Sequence, residues 1–341
     1  MAANAPAAGQ PTDPHAPMPR GERIPVQNAE NGYFQCWYPI ALASEVGPGQ
    51  VVGREFLNGR VVAFRGQDGV PHVMSAFCRH LGADLALASV VGNELRCVYH
   101  HWSYDGAGSC VRTAAGDPPP RNAQLFHFPT AEKYGLLWAF NGTEPLYEVP
   151  ECGLPESELV VRAKEKETLP VEPYVPFSNS LDLQHLKVVH QLEIVKLPEK
   201  LDTGGSMIEY NIEFVAPMMG RGVQHVRMYG ANSIIIRQMF MGREVYMMSF
   251  GRVLPGGRTV LYNVVATRKS SGKPGEDQMI VQILNGVEQF GDRLIDEDRP
   301  VMQTMSFRRD CLSASDTFMA AYLRFIQSSP RTNVACDMIA P

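Results

Sequence analysis

Short apolar runs broken by glycine and polar turns fill the chain from about Tyr38 to Asn141. Val61-Val62-Ala63-Phe64 is followed by the turn residues Gln67-Asp68-Gly69, and then by Pro71-His72-Val73-Met74. Leu95-Arg96-Cys97-Val98 reads as a strand and Asp105-Gly106-Ala107-Gly108 as a turn. Residues 134–140 read as a buried strand closed by Asn141-Gly142. Short strands at this spacing predict a small β-barrel or sandwich. Pro145, Pro150 and Pro155 then punctuate a stretch of weak periodicity, which predicts a boundary. Beyond it the pattern changes. Residues 178–191, 277 to about 295, and 313–327 are predicted helical. Residues 233–241, 245–254 and 258–267 predict strands of an antiparallel sheet, the last two joined by a turn at Pro255-Gly256-Gly257. The predicted class is α+β: an all-β domain over 23–150, then a domain of antiparallel sheet plus helices over 151–341. Residues 1–22 carry Pro6, Pro11, Pro14, Pro17 and Pro19 among alanines and glycines and predict a disordered lead-in.

Composition narrows the functional classes. The chain has 341 residues, 45% hydrophobic and 20% charged, which suits about two globular domains. A net charge of −5 gives no basic footprint for nucleic acid or an anionic membrane surface. No apolar run approaches the roughly 18 residues that span a bilayer. The N-terminus lacks a basic-then-apolar signal pattern, so the expected location is the cytoplasm. Seven cysteines at irregular spacing do not suggest a disulfide framework. Metal binding becomes the question.

Cys78-Arg79-His80 and, after sixteen residues, Cys97-Val98-Tyr99-His100 form a Cys-x-His plus Cys-x-x-His pair. Two thiolates and two imidazoles match a Rieske [2Fe–2S] centre, where histidines replace the cysteines on one iron and raise its potential. Structural zinc is the competing reading, but a zinc finger pairs Cys with Cys and His with His. Here each arm holds one of each. The expected cluster ligands are Cys78, His80, Cys97 and His100. His101 competes with His100 on residue type, and spacing favours His100.

The runs Cys78-Arg79-His80-Leu81-Gly82-Ala83-Asp84-Leu85 and Cys97 through Gly106 resemble the Rieske domain of ring-hydroxylating and demethylating oxygenases. Respiratory and photosynthetic Rieske proteins carry an extra cysteine in each arm; Ala83 and Tyr99 stand at those places here. Many oxygenases have Gly where His101 stands, and a smaller group shares the His-His-Trp run. That run leans toward nitrogen-bearing aromatic substrates.

The resemblance implies a second, mononuclear iron held by two histidines and one carboxylate. Asn179-x-x-Asp182-x-x-His185-x-x-x-x-His190 resembles the family's ligand helix. Taken without the resemblance, two histidines on an amphipathic helix read as incidental. His185 and His190 lie about 140° apart on an ideal helix, so a shared metal requires the helix to end, bend or bulge near Val188–Val189. The downstream run Ile295 to Gln303 resembles the family's acidic segment. Asp298 is the expected third ligand, with Asp296 next and Asp292 third, and Pro300 predicts a helix break just after it. A solvated helix surface is the bland alternative for that run. Asp182 is expected to bridge histidines as a catalytic residue, or else only to stabilise the helix.

The implied function is that of a terminal oxygenase. It would use dioxygen and external electrons to hydroxylate, dealkylate or N-oxidise a small apolar, aromatic molecule. The cofactors would be one [2Fe–2S] cluster and one Fe(II) per chain, and the assembly a homotrimer. No nicotinamide or flavin fingerprint is present, so electrons are expected from a separate reductase, with or without a ferredoxin. Met218, Met219, Met228, Met239, Met241, Met247 and Met248, with Phe214, Phe240 and Phe250, are candidates for pocket wall or core, and Asn232 and Gln238 for polar orientation. The alternatives are a Rieske-type electron carrier, which would end soon after the barrel, and a non-catalytic binding module.

Overall fold

The computed structural model describes residues 24–197, 201–216, 220–305 and 311–341. The predicted lead-in, 1–22, and two candidate pocket residues, Met218 and Met219, lie outside them. The first half is built from strands β1 (Tyr33–Phe34), β2 (Trp37–Leu42), β3 (Val51–Phe56), β4 (Gly59–Arg65), β5 (Pro71–Ser75) and β6 (Ser89–Val91). It continues with β7 (Glu94–Arg96), β8 (Ser103–Tyr104), β9 (Cys110–Arg112), β10 (His127–Phe128), β11 (Thr130–Lys133) and β12 (Leu136–Phe140). They form small antiparallel sheets in the orders β10-β5-β4-β3, β11-β12-β2 and β6-β7-β8-β9. Tyr134 and Gly135, predicted as strand, are instead the hairpin turn between β11 and β12, with φ of 56° and 69°. Two successive left-handed residues match the twist of a tight hairpin.

The second half contains β13 (Leu159–Leu169), α1 (Tyr174–Ser178), α2 (Leu183–Val188), β14 (Glu193–Lys196), β15 (Met207–Ala216), β16 (Gly220–Tyr229), β17 (Ser233–Phe240), β18 (Arg243–Leu254) and β19 (Arg258–Arg268). After these come α3 (Glu276–Met302), α4 (Thr317–Ser328), β20 (Arg331–Thr332) and α5 (Cys336–Ile339). Seven strands pair antiparallel in the order β13-β19-β18-β17-β16-β15-β14, a wider sheet than the three predicted strands. The turn between β18 and β19 falls at Gly256 and Gly257, both left-handed, as the Pro-Gly-Gly run predicts. α3 lays Ile280, Ile283, Leu284 and Val287 on Val245 and Val265 of the sheet. Those spacings are one face of a helix.

The two halves share their cores. Trp138 of β12 packs edge-on to Phe250 of β18 at 4.7 Å. The chain end returns to the start, where β20 pairs with β1. A buried polar chain reinforces the joint. Arg252 donates to the carbonyl of Ile40 and, at 2.7 Å, to the Tyr262 hydroxyl; that hydroxyl is 2.5 Å from Glu165 Oε2. Among the described residues no helix is long and apolar enough to cross a membrane.

Removing the guanidinium would strand buried acceptors on both sides of this joint. Arg252→Ala is expected to cost about 1–3 kcal/mol in urea unfolding, with one cooperative transition retained. Two separated transitions would mean that the halves fold independently of this contact.

Candidate metal centres and substrate cavity

The two cysteine motifs fold into loops of the same construction. Cys78 follows β5, and its N–H donates to the Ala83 carbonyl while Gly82 N–H donates back to the Cys78 carbonyl, each at 2.9 Å. Cys97 follows β7, where its N–H donates to the Trp102 carbonyl at 2.9 Å and His101 N–H returns to the Cys97 carbonyl at 3.1 Å. The fifth residue of each loop, Gly82 and His101, is left-handed, with φ of 77° and 52°. Both cysteines are buried, whereas His80 and His101 are exposed. The His80 and His100 rings lie 4.7 Å apart, and Trp102 stacks on His80 at 4.5 Å. The structure thus brings Cys78, Cys97, His80 and His100 to adjoining loops, and puts His101 at the turn-closing position that Gly82 holds in the other loop. Histidine is among the few non-glycine residues enriched in that conformation.

Tyr104 had no assigned role in the sequence reading. Its hydroxyl accepts Arg79 N–H at 2.9 Å, which turns its own proton toward Cys78 Sγ at 3.2 Å. Burial and then Cys78 push the phenol above its ordinary range, and toward a Cys78 thiolate only the hydroxyl can donate. Burial likewise raises the Cys78 thiol, and the bond from Tyr104 opposes that rise.

The predicted helix over 178–191 is two short pieces. α1 runs into a 3-10 turn at Asn179–Leu181, and Asp182 (φ −86°, ψ 94°) breaks the helix. Asp182 Oδ1 then caps α2 by accepting His185 N–H at 2.9 Å. α2 ends at Val188, and Gln191 is left-handed at φ 55°. This is the interruption that the His185–His190 spacing requires. It lets the two Nε2 atoms converge to 2.9 Å.

Asp298 meets them from α3. Its Oδ1 is 3.2 Å from His185 Nε2 and 3.3 Å from His190 Nε2. Its Oδ2 accepts the Asn179 amide at 2.9 Å. Among the described residues, His185, His190 and Asp298 form the group of three whose ligand atoms all lie within 4.8 Å. Oδ1 is buried, and neither imidazole contact has hydrogen-bond geometry. Two ring nitrogens and an orphaned carboxylate oxygen facing one point fit a divalent cation with open positions. Burial would raise the Asp298 carboxyl, but His185, His190 and Asn179 hold it well below the usual range. Burial would lower the His190 pKa, and Asp298 and Glu297 reverse that and raise it. Asp296 turns outward to Arg299, and Asp292 pairs with Lys166 at 2.6 Å. Pro300 does not break α3, which continues to Met302. The proline is exposed, and the backbone bond it cannot donate would have gone to the Asp296 carbonyl on the solvent side.

A cavity of about 190 Å³ opens from this group between the sheet and α3. Its wall is largely apolar, including Met247, Leu261 and Val287, with Gln224, Ser249 and Asn263 as uncharged polar groups and Lys164, Lys166, Glu288 and Asp292 among the charged ones. Ser249 Oγ donates to Asn263 Oδ1 at 2.9 Å, and Gln224 Nε2 to Gln238 Oε1 at 2.8 Å. Asn232 is elsewhere: it is buried and donates to the carbonyls of Trp37 and Gly251. Gln238 stands behind Gln224. Met239 and Met241 are exposed, while Met228, Phe214 and Phe250 belong to the core.

Comparison with known proteins follows the same division. Residues 36–129 match the Rieske [2Fe–2S] domain. The chain is 28% identical over 196 residues to chlorophyllide a oxygenase of Oryza sativa subsp. japonica, covering 58% of this chain and 34% of that protein. It is 34% identical over 152 residues to aminopyrrolnitrin oxygenase PrnD of Pseudomonas fluorescens, covering 41% of each. The chain thus spans well under half the length of these curated relatives. The solved structure of Pseudomonas putida CBB5 NdmA (QL mutant with theobromine) superposes with a TM-score of 0.67 at 18% identity, over 85% of this chain and 88% of that one. That likeness concerns the fold. Residues 36–129 thus match a Rieske [2Fe–2S] domain, and the chain as a whole is compared only through its fold.

The loop geometry separates the two adjacent histidines. His101→Gly is expected to keep the cluster's visible spectrum and its acid-labile sulfide, because glycine suits the left-handed turn. His100→Ala is expected to lose both. The reverse result would make His101 the ligand.

Proposed function

We propose that this chain is the terminal oxygenase of a multicomponent Rieske system, acting on a small apolar, aromatic substrate by hydroxylation, dealkylation or N-oxidation. The observation that carries the reading is the His185, His190 and Asp298 group opening into an apolar cavity in a chain that also has a Rieske domain. In this proposal Cys78, Cys97, His80 and His100 hold the [2Fe–2S] cluster, and His185, His190 and Asp298 hold Fe(II). When bound, the cluster supplies single electrons and the ferrous ion supplies a centre for reducing dioxygen beside the substrate.

The chain's own residues do the rest. Tyr104 is placed to donate to Cys78 Sγ, which would stabilise the extra negative charge of a reduced cluster held there. Asn179 fixes the Asp298 carboxylate through Oδ2, leaving Oδ1 for the metal. The aliphatic cavity wall keeps water from the reacting centre and takes up an apolar ring. Asn263 and Gln224 offer amide groups to a polar substituent, and their bonds to Ser249 and Gln238 hold them in place. Salt bridges Lys164–Glu288 and Lys166–Asp292 tie β13 to α3 along the cavity edge.

The proposal divides the chain into a Rieske unit, 23–150, and a catalytic unit, 151–341. It includes a homotrimer in which the cluster and mononuclear site of neighbouring subunits meet. Leu81 and Tyr99, 66% and 63% exposed on the two cluster loops, support a protein contact there. Asp182, besides capping α2, is proposed to accept an imidazole N–H and link the two sites.

Metal analysis tests the reading. The intact chain is expected to hold about three irons and two acid-labile sulfides, with a Rieske-type signal when reduced. Asp298→Ala is expected to keep two irons and two sulfides and to lose turnover. Zinc without sulfide would overturn the reading at its first step, and three irons in Asp298→Ala would remove Asp298 from the ligand set.

A second expectation concerns electrons. The purified chain with NADH and dioxygen alone is expected not to turn over, and adding a Rieske-system reductase is expected to start it. Turnover with NADH alone would remove the separate reductase from the proposal.

A further inference from the structure

Glu297 precedes Asp298 on α3, and both carboxylates reach the same imidazole. Glu297 Oε2 is 2.8 Å from His190 Nδ1. Asp298 Oδ1 faces Nε2 on the other side of the ring at 3.3 Å. The His190 side chain is 5% exposed, whereas Glu297 sits half-exposed at the rim. The other Glu297 oxygen is 3.4 Å from Arg293 Nε, an exposed pair of the kind that contributes little to stability.

A neutral imidazole has one N–H, and an ionised carboxylate only accepts. The Glu297 contact therefore puts the proton on Nδ1 and leaves the Nε2 lone pair facing His185 and Asp298. It also fixes the ring plane. His190 needs this support because it lies past the end of α2, where no helical turn holds its side chain. Among the described contacts of the His190 ring, Nδ1 meets Glu297 and not Asp182, whose Oδ1 accepts the His185 backbone N–H.

We propose that Glu297 is a positioning residue that orients His190 and sets its tautomer for a divalent metal ion. The proposal rests on the metal-site reading above and adds to it a fourth residue that does not touch the metal. It predicts that the ion's affinity depends on a side chain at the solvent rim.

The test uses the full chain with its [2Fe–2S] cluster in place, freed of mononuclear metal and titrated with Co²⁺, whose visible d–d bands report its ligands. Glu297→Ala is expected to weaken Co²⁺ binding by about 10- to 100-fold. Glu297→Gln, whose amide oxygen still accepts Nδ1–H, is expected to recover most of that loss. Arg293→Ala is expected to match the parent chain. Side-chain ¹⁵N shifts of the metal-free protein, recorded at a pH where the His190 ring is neutral, give a readout independent of loading: His190 is expected as the Nδ1–H tautomer, and as a mixture in Glu297→Ala. An unchanged cluster spectrum reports that each variant is folded.

His190→Ala separates the two levels. If it binds Co²⁺ like the parent, the metal-site reading itself fails. If it loses Co²⁺ while Glu297→Ala does not, the Glu297 proposal alone is overturned. Equal losses in Glu297→Ala and Arg293→Ala would reduce Glu297 to a helix-surface role and overturn it too.

Discussion

Two imidazoles five residues apart have to face one point, and much of the second half of the molecule is arranged around that demand. A continuous helix would turn His190 away from His185. The chain instead breaks at Asp182, makes six residues of helix in α2, and reverses at the left-handed Gln191. Leu186 anchors the short helix in the core, and its carbonyl accepts Leu192 N–H at 2.9 Å just beyond the reversal. The third member comes from α3, more than a hundred residues later. The helix is positioned by Ile280, Ile283, Leu284 and Val287 against the sheet. Continuing that buried stripe by steps of three or four reaches Gly291, Leu294, Asp298 and Met302. Asp298 thus occupies a core position, and packing far from the site delivers its carboxylate.

That stripe also explains what was readable beforehand. Three acidic residues competed as ligand on the likeness of one short run. Periodicity measured from Ile280 separates them, since Asp296 and Asp292 fall off the buried face and pair with Arg299 and Lys166. The helix break was legible as a requirement, because 140° of rotation cannot be reconciled with one metal. Its means, a cap at Asp182 and a left-handed Gln191, was not. Pro300 predicts a helix stop, yet it lies inside the last turn of α3. On the exposed side of the last turn its missing N–H costs little, since the carbonyl left over faces water.

Strand alternation was under-read in the second half. Ile208, Tyr210, Ile212, Phe214 and Ala216 alternate with Glu209, Asn211 and Glu213 along β15, which is the period of a half-buried strand. β13 was hidden for a different reason. It lies at the sheet edge, and its Arg162, Lys164 and Lys166 face partners on α3, so charge masks its pattern. Tyr104 and Glu297 carry no local signature at all. Each matters through one contact to a residue far away in sequence, and only the folded chain brings those contacts together. The cysteine loops were more transparent, because their ligand spacing is a short-range property. Even there, His101 was ambiguous until its backbone angle made it the counterpart of Gly82.

The His185, His190 and Asp298 group is also arranged at a cost to stability. Burial alone disfavours the Asp298 carboxylate, and its ionised form is kept only by the Asn179 amide and the two imidazoles around it. Oδ1 has no hydrogen bond, and two basic nitrogens are pressed to 2.9 Å. Replacing the group with apolar side chains of similar volume would be neutral or stabilising by the usual logic of buried charge. A divalent cation bound there, as proposed, would change the balance by satisfying all three groups at once, and its binding would then add to the folding free energy with the logarithm of metal concentration above the dissociation constant. The sheet and α3 hold the three groups in place against desolvation and the close approach of the two imidazole nitrogens, and the anchor for that work is the ordinary apolar stripe of α3 on β18 and β19. The cavity, the cap at Asp182 and the carboxylate at the rim are all consequences of keeping three unlike groups aimed at one point.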